Sequence, residues 1–178
     1  MLAVPSLAAA LMLAEPSRTS VEFGTWALWL LPLFFLTFIQ AGSEELIFRG
    51  YLLQQLGNLS RHWAVWAGIP AFGFGLLHFF NLPGVGGLYY VAVTTLMGLS
   101  FAVLVWRSGN LWSAIGLHLG NNLLGITVVG AEGVLSGSQL WLFPEEAILT
   151  LMPVDVVLSA ALLLLLLSPV GRIFGEGR

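Results

Sequence analysis

The chain has 178 residues, of which 58% are hydrophobic and 8% charged, against about 25% charged in a soluble domain; the composition is that of a membrane protein. Its six cations are all arginines, scattered along the chain, and the formal net charge is −3, a pattern that does not suit nucleic acid. There is no cysteine, which excludes disulfides, thiol nucleophiles and thiolate metal sites.

In chain order, residues 2–14 are apolar but short and fit a signal-like core, a clipped span or an interfacial helix equally well. Crossing ~30 Å of hydrocarbon takes about 20 residues of helix. Five stretches meet that length: 26–56, which is overlong and contains Pro32, then 63–80, 86–106, 111–130 and 148–170. The connections NLSRH, NLPGVGG, RSGN and EGVLSGSQLWLFPEE carry the turn-forming residues expected between spans. Lipid does not tolerate unpaired backbone groups, and no alternating barrel pattern is present. The expected fold is therefore all-α: a polytopic transmembrane helix bundle of about five spans plus a short apolar N-terminal segment. No stretch reads as a linker, so residues 1–178 are taken as one integral membrane domain. The leucine run at 162–167 reads as lipid-facing. With this threading Arg61, Arg107, Arg172 and Arg178 share one side, while Glu15, Glu22, Glu132, Glu145 and Glu146 share the other with Arg18. The positive-inside rule makes the arginine side cytoplasmic.

Inside the spans lie Glu44, Glu45, Arg49, His78, His118, Asn121 and Asn122. Ionisable groups at membrane depth cost about 2.5–3.5 kcal/mol each or more and mark function by default. Counting 1.5 Å per residue from helix ends near Asn58, His62 and Asn110 puts Glu44 ~21 Å deep, His78 ~24 Å, His118 ~12 Å and Asn122 ~18 Å; with tilts and breaks, one layer can hold all four. Glu45 and Arg49 are spaced i, i+4 and read as a structural ion pair. Glu44 is rotated about 100° away and calls for a chemical reason. His118 and Asn122 are also i, i+4 and stack on one face. Taken singly, His78 also reads as a histidine bonded to a neighbouring helix, and His118 with Asn122 as interhelical glue. Asp155, two residues after Pro153, reads as a first-turn residue favoured by the helix dipole, and His62 as interfacial.

A carboxylate, two imidazoles and an amide are parts for activating water and holding a tetrahedral oxyanion, which suits amide hydrolysis. No HExxH or GxGD motif is present. Gly98-Leu99-Ser100 resembles a serine-protease GxS only faintly, without a partnering histidine in the last helix. The pattern as a whole is specific: Glu44-Glu45-Leu-Ile-Phe-Arg49 fits EExxxR, Phe74-Gly-Leu-Leu-His78 fits FxxxH, and His118-Leu-Gly-Asn-Asn122 fits HxxxN, in order on successive spans. Over roughly 32–130, the expected catalytic core, the chain resembles the CPBP family, the CAAX-protease and bacteriocin-processing (Abi) intramembrane endopeptidases. That resemblance implies that Glu44 activates water together with His78 and that His118 and Asn122 hold the oxyanion. It implies no cofactor, membrane lipid as surroundings, and a membrane-associated protein or peptide as substrate. For so compact a chain it implies a prokaryotic member in the cell (inner) membrane, for which prenylated substrates are not expected.

Three other readings stand beside it. Glu44, His78 and His118 are ligand types that suit Zn²⁺, which would make a metalloprotease. Intramembrane Glu and His also build proton relays, although the paired half-helices of inverted repeats are not visible. A non-catalytic membrane partner could keep the fold alone. The threading itself is testable, because the native chain offers no background thiol: a single cysteine replacing Ser108 should resist an impermeant thiol reagent added to intact cells and react once the membrane is opened. Labelling in intact cells would invert the topology.

Overall fold

The computed structural model describes residues 15–82, 84–132 and 137–174; the apolar stretch 2–14 lies outside them. Beginning with strand β1 (Ser17–Arg18), the chain enters helix α1 (Phe23–Glu45), which widens into a π-helical stretch at Leu46–Leu52 and closes as α2 (Leu53–Leu59). A π-helical turn (Ala64–Gly68), helix α3 (Ile69–Leu76) and a 3₁₀ turn (Phe79–Asn81) form the next apolar segment, followed by α4 (Val85–Ser108). Helix α5 (Trp112–Leu123) runs into a third π-helical stretch (Leu124–Val128) and strand β2 (Val129–Ala131). Strand β3 (Trp141–Phe143), helix α6 (Glu145–Leu167) and a 3₁₀ turn (Pro169–Phe174) complete the order.

Among the described residues, four helical segments are long and apolar enough to cross a membrane: Phe23–Leu59, Ala64–Asn81, Val85–Ser108 and Thr150–Leu167. They match four of the five expected spans, and the chain is an integral membrane protein of helical architecture. The fifth expectation, 111–130, is helical only as far as Val128 and then becomes strand. Helix α1 runs through Pro32 and α6 through Pro153. A proline inside a helix removes one hydrogen bond, yet in lipid the rest of the ladder has no alternative partner and persists. This corrects the reading of Asp155. Helix α6 starts at Glu145, just after Pro144, so Asp155 lies well inside it and is 3% exposed.

The chain forms two compact units. One combines the described part of Met1–Ala41 with Leu117–Asp155, and the other combines Gly42–Gly116 with the described part of Val156–Arg178. In the second, Phe101 and Leu104 of α4 pack with Ala114 of α5 and Leu166 of α6, so Leu166 in the expected lipid-facing run is core. Helix α3 meets α4 closely enough that a Cβ at Gly75 would collide with Thr95 Oγ1 and Val91 O. Small residues at such crossings let helices approach where no hydrophobic effect drives them together. Helix α4 ends at Gly109, whose φ of 69° closes the last turn by a bond from its N–H to Val105 O at 2.9 Å.

The first unit contains a sheet in the order β1-β3-β2, with β1 antiparallel to β3 (Ser17 opposite Leu142) and β2 parallel to it (Gly130 opposite Leu142). None of these strands was expected from the sequence. The sheet exists beside an interrupted helix, and its loop satisfies what the interruption leaves open. A helix end leaves four carbonyls without partners. Here the last four are all taken: Gln139 Nε2 donates to Gly125 O at 3.2 Å, Ser138 Oγ to Ile126 O at 2.6 Å, Trp26 Nε1 to Thr127 O at 2.7 Å, and Leu140 N to Val128 O at 3.2 Å. Gln139 Oε1 also accepts from the N–H groups of Gly137 and Ser138. Its side chain crosses β2 at Gly130, where a Cβ would come within 2.9 Å of it.

Replacing Gln139 by Leu strands Gly125 O and two N–H groups, at about 1–3 kcal/mol for each group left buried without a partner. Thermal unfolding in detergent should therefore show a marked drop for Gln139→Leu and a smaller one for Gln139→Glu, which keeps the acceptor. Equal melting of the Leu variant and the native protein would show that the cap is not needed.

Candidate active site

The EExxxR motif sits where α1 passes into the π-helical stretch, a local widening often found at functional sites. Nothing in the residue types announces it. Arg49 Nη1 donates to Glu45 Oε1 at 2.9 Å, with the side chains 1% and 0% exposed. The guanidinium carbon lies 4.7 Å from the ring centre of Phe74, 5.3 Å from Phe101 and 5.8 Å from Phe48. Ring faces carry partial negative charge and replace part of the lost hydration. Room for the fork comes from Gly98, where a Cβ would stand 3.0 Å from Arg49 Nη2 and 3.1 Å from Ala71. The faint GxS therefore has a structural explanation: Gly98 admits the guanidinium, and Ser100 Oγ, fully buried, donates to Leu96 O at 2.9 Å. Glu44, adjacent to the pair, is half-buried.

His78 belongs to the same unit, just past the end of α3, at φ −96° and ψ 0°. Its Nδ1 lies 2.9 Å from Phe74 O. A carbonyl only accepts, so in the neutral ring the proton is on Nδ1 and the lone pair on Nε2. Phe74 at 4.8 Å and Tyr90 at 6.3 Å, nearly parallel to the imidazole, hold the ring's plane. Phe74 thus serves both motifs: its ring faces Arg49 and its carbonyl fixes His78. Tyr90 was missed by the sequence reading, since an aromatic in an apolar span carries no signal of its own.

His118, Asn121 and Asn122 lie in the other unit on α5, and all three are buried. Asn121 Nδ2 donates to Asn122 Oδ1 at 3.5 Å, and Asn122 Nδ2 donates to Gln40 Oε1 at 2.9 Å. Gln40 is the second residue the sequence reading missed. It is the polar end of the run FFLTFIQ, and a glutamine interrupting such a run was the available clue. Of the residues singled out beforehand, Glu45 joins Arg49 in the second unit, which also contains Glu44 and His78; His118 and Asn122 sit on one helix in the first.

A family model described as type II CAAX prenyl endopeptidase Rce1-like matches residues 25–124. The chain is also similar to the uncharacterized protein YyaK of Bacillus subtilis (strain 168), 33% identical over 86 residues, which is 48% of this chain and 29% of that protein. No solved structure matches the chain significantly.

The buried ion pair is tested by breaking it and by removing it. Arg49→Met or Glu45→Gln alone leaves one charge without its partner in lipid surroundings, a loss expected at about 3–5 kcal/mol. The double replacement Glu45→Met with Arg49→Met removes both charges and should recover much of that stability in the same melting assay. A double variant as unstable as the sum of the singles would mean that each residue acts separately.

Proposed function

The chain belongs to the Rce1-like family of type II CAAX prenyl endopeptidases, and on that footing we propose that it is an intramembrane endopeptidase hydrolysing a peptide bond of a membrane-associated protein or peptide. Glu44, assisted by His78, takes a proton from water as the oxygen attacks the scissile carbonyl. His118 and Asn122 donate hydrogen bonds to the oxyanion that develops. Collapse of the tetrahedral intermediate breaks the C–N bond, and the proton taken from water passes to the leaving amine. The observation that carries the reading is the division within EExxxR: the second glutamate and the arginine are engaged in a buried 2.9 Å pair, which supports giving the chemistry to Glu44. The tautomer of His78 adds support, because a lone pair on Nε2 is what an acid–base partner needs. The similarity to a Bacillus subtilis protein favours a bacterial cell membrane. No cofactor is invoked.

Zinc held by Glu44, His78 and His118 is the competing reading, and His118 separates the two. Losing one oxyanion donor typically raises the barrier by about 2.7–4 kcal/mol. His118→Gln keeps an N–H donor but makes a poor zinc ligand, so it should retain partial hydrolysis in proteoliposomes, clearly above His118→Ala. Glu44→Gln should abolish hydrolysis with the melting temperature nearly unchanged. Stoichiometric zinc in the active protein, lost together with all activity in His118→Gln, would replace the water-activating carboxylate with a metal.

A further inference from the structure

An asparagine used as an oxyanion donor has an orientation problem. Its carboxamide presents an acceptor at one end and two N–H donors at the other, the ends are nearly identical in shape, and the terminal torsion is soft. Turned the wrong way, Oδ1 would face the developing negative charge and oppose it. Asn122 is 6% exposed, so bulk water does not set its direction. Two neighbours on its own unit do. Asn122 Nδ2 donates to Gln40 Oε1 at 2.9 Å, and Oδ1 faces Asn121 Nδ2 at 3.5 Å. The shorter of these contacts is the stronger restraint. It commits one of the two Nδ2 hydrogens and leaves the other for a second acceptor.

We propose that Gln40 is a positioning residue for the reaction: by accepting from Asn122 Nδ2 it fixes the carboxamide with its nitrogen, not its oxygen, toward the substrate carbonyl. This rests on the endopeptidase reading above and extends it to a residue outside all three motifs. A glutamine serving only to join helices would affect stability and leave the chemical step alone; one that orients Asn122 acts on the turnover step and acts only through Asn122.

The test begins with cells expressing the full chain. New N-termini of membrane proteins that appear with the native chain and vanish with Glu44→Gln define a cut, and a peptide spanning it is the substrate in proteoliposomes. Gln40→Met, similar in length and suited to lipid, should lower kcat about ten- to a hundredfold, below the loss of a whole donor, with KM within about twofold of native; Gln40→Ala serves if the Met variant melts early. In an Asn122→Ala background the same replacement should change kcat less than about twofold, whereas in a His118→Ala background it should lower kcat in full, as expected for a coupled and an uncoupled pair. Native kcat in Gln40→Met beside an impaired Asn122→Ala overturns the positioning role alone. An undiminished loss in the Asn122→Ala background also overturns it and assigns Gln40 to another task. Native kcat in Asn122→Ala removes the oxyanion reading underneath, and the absence of any Glu44-dependent terminus removes the endopeptidase reading altogether.

Discussion

In hydrocarbon, water is not available to accept or donate a hydrogen bond, so every polar group placed in a span must find its partner within the protein. Two features of this chain answer that demand in different ways. The four carbonyls at the end of the Leu124–Val128 stretch are met by Gln139, Ser138, Trp26 and the backbone of Leu140. The guanidinium of Arg49 is met by a carboxylate four residues earlier and by three phenyl rings. The small sheet, the close passage at Gly98 and the glycine at position 130 follow from these two requirements.

The same constraint marks the three sequence motifs. One polar side chain in each is held by a neighbour within its own unit: His78 by the carbonyl of Phe74, Asn122 by Gln40, Arg49 by Glu45. Such fixed surroundings are what electrostatic catalysis requires, because dipoles already aimed need no reorganisation when charge develops. Phe74 links two of the motifs without any polar side-chain group, which explains why a phenylalanine can belong to a chemical signature.

Much of this was legible in the residues. Length and hydropathy located four spans to within a few residues, and the i, i+4 spacing of Glu45 and Arg49 anticipated their contact. What escaped depended on partners distant in sequence. The 111–130 stretch looks like an ordinary span because its apolar residues continue past Val128, where the chain turns to strand; the termination is decided by residues 137–140 and by Trp26. Asp155 was misplaced because Pro153 resembles a helix start, while the true start at Pro144 lies within a loop-like sequence. Gln40 and Tyr90 sit in apolar runs that give no hint of what they touch. The π-helical stretches after Glu45 and after Leu123 left no compositional trace at all.

The placement of Glu45 and Arg49 on consecutive turns also bears on how the chain reaches the bilayer. A helix entering lipid with an isolated arginine would meet its full transfer cost before any other helix had arrived. Here the counter-charge travels in the same segment, so the pair can form as that segment leaves the aqueous channel and enter as an electrically neutral unit. Phe74 and Phe101 lie on later segments, and in the folded chain their rings face the guanidinium of that pair. Synthesis order and charge compensation thus coincide: the buried guanidinium of Arg49 is paired with a carboxylate in the part of the chain made just before it.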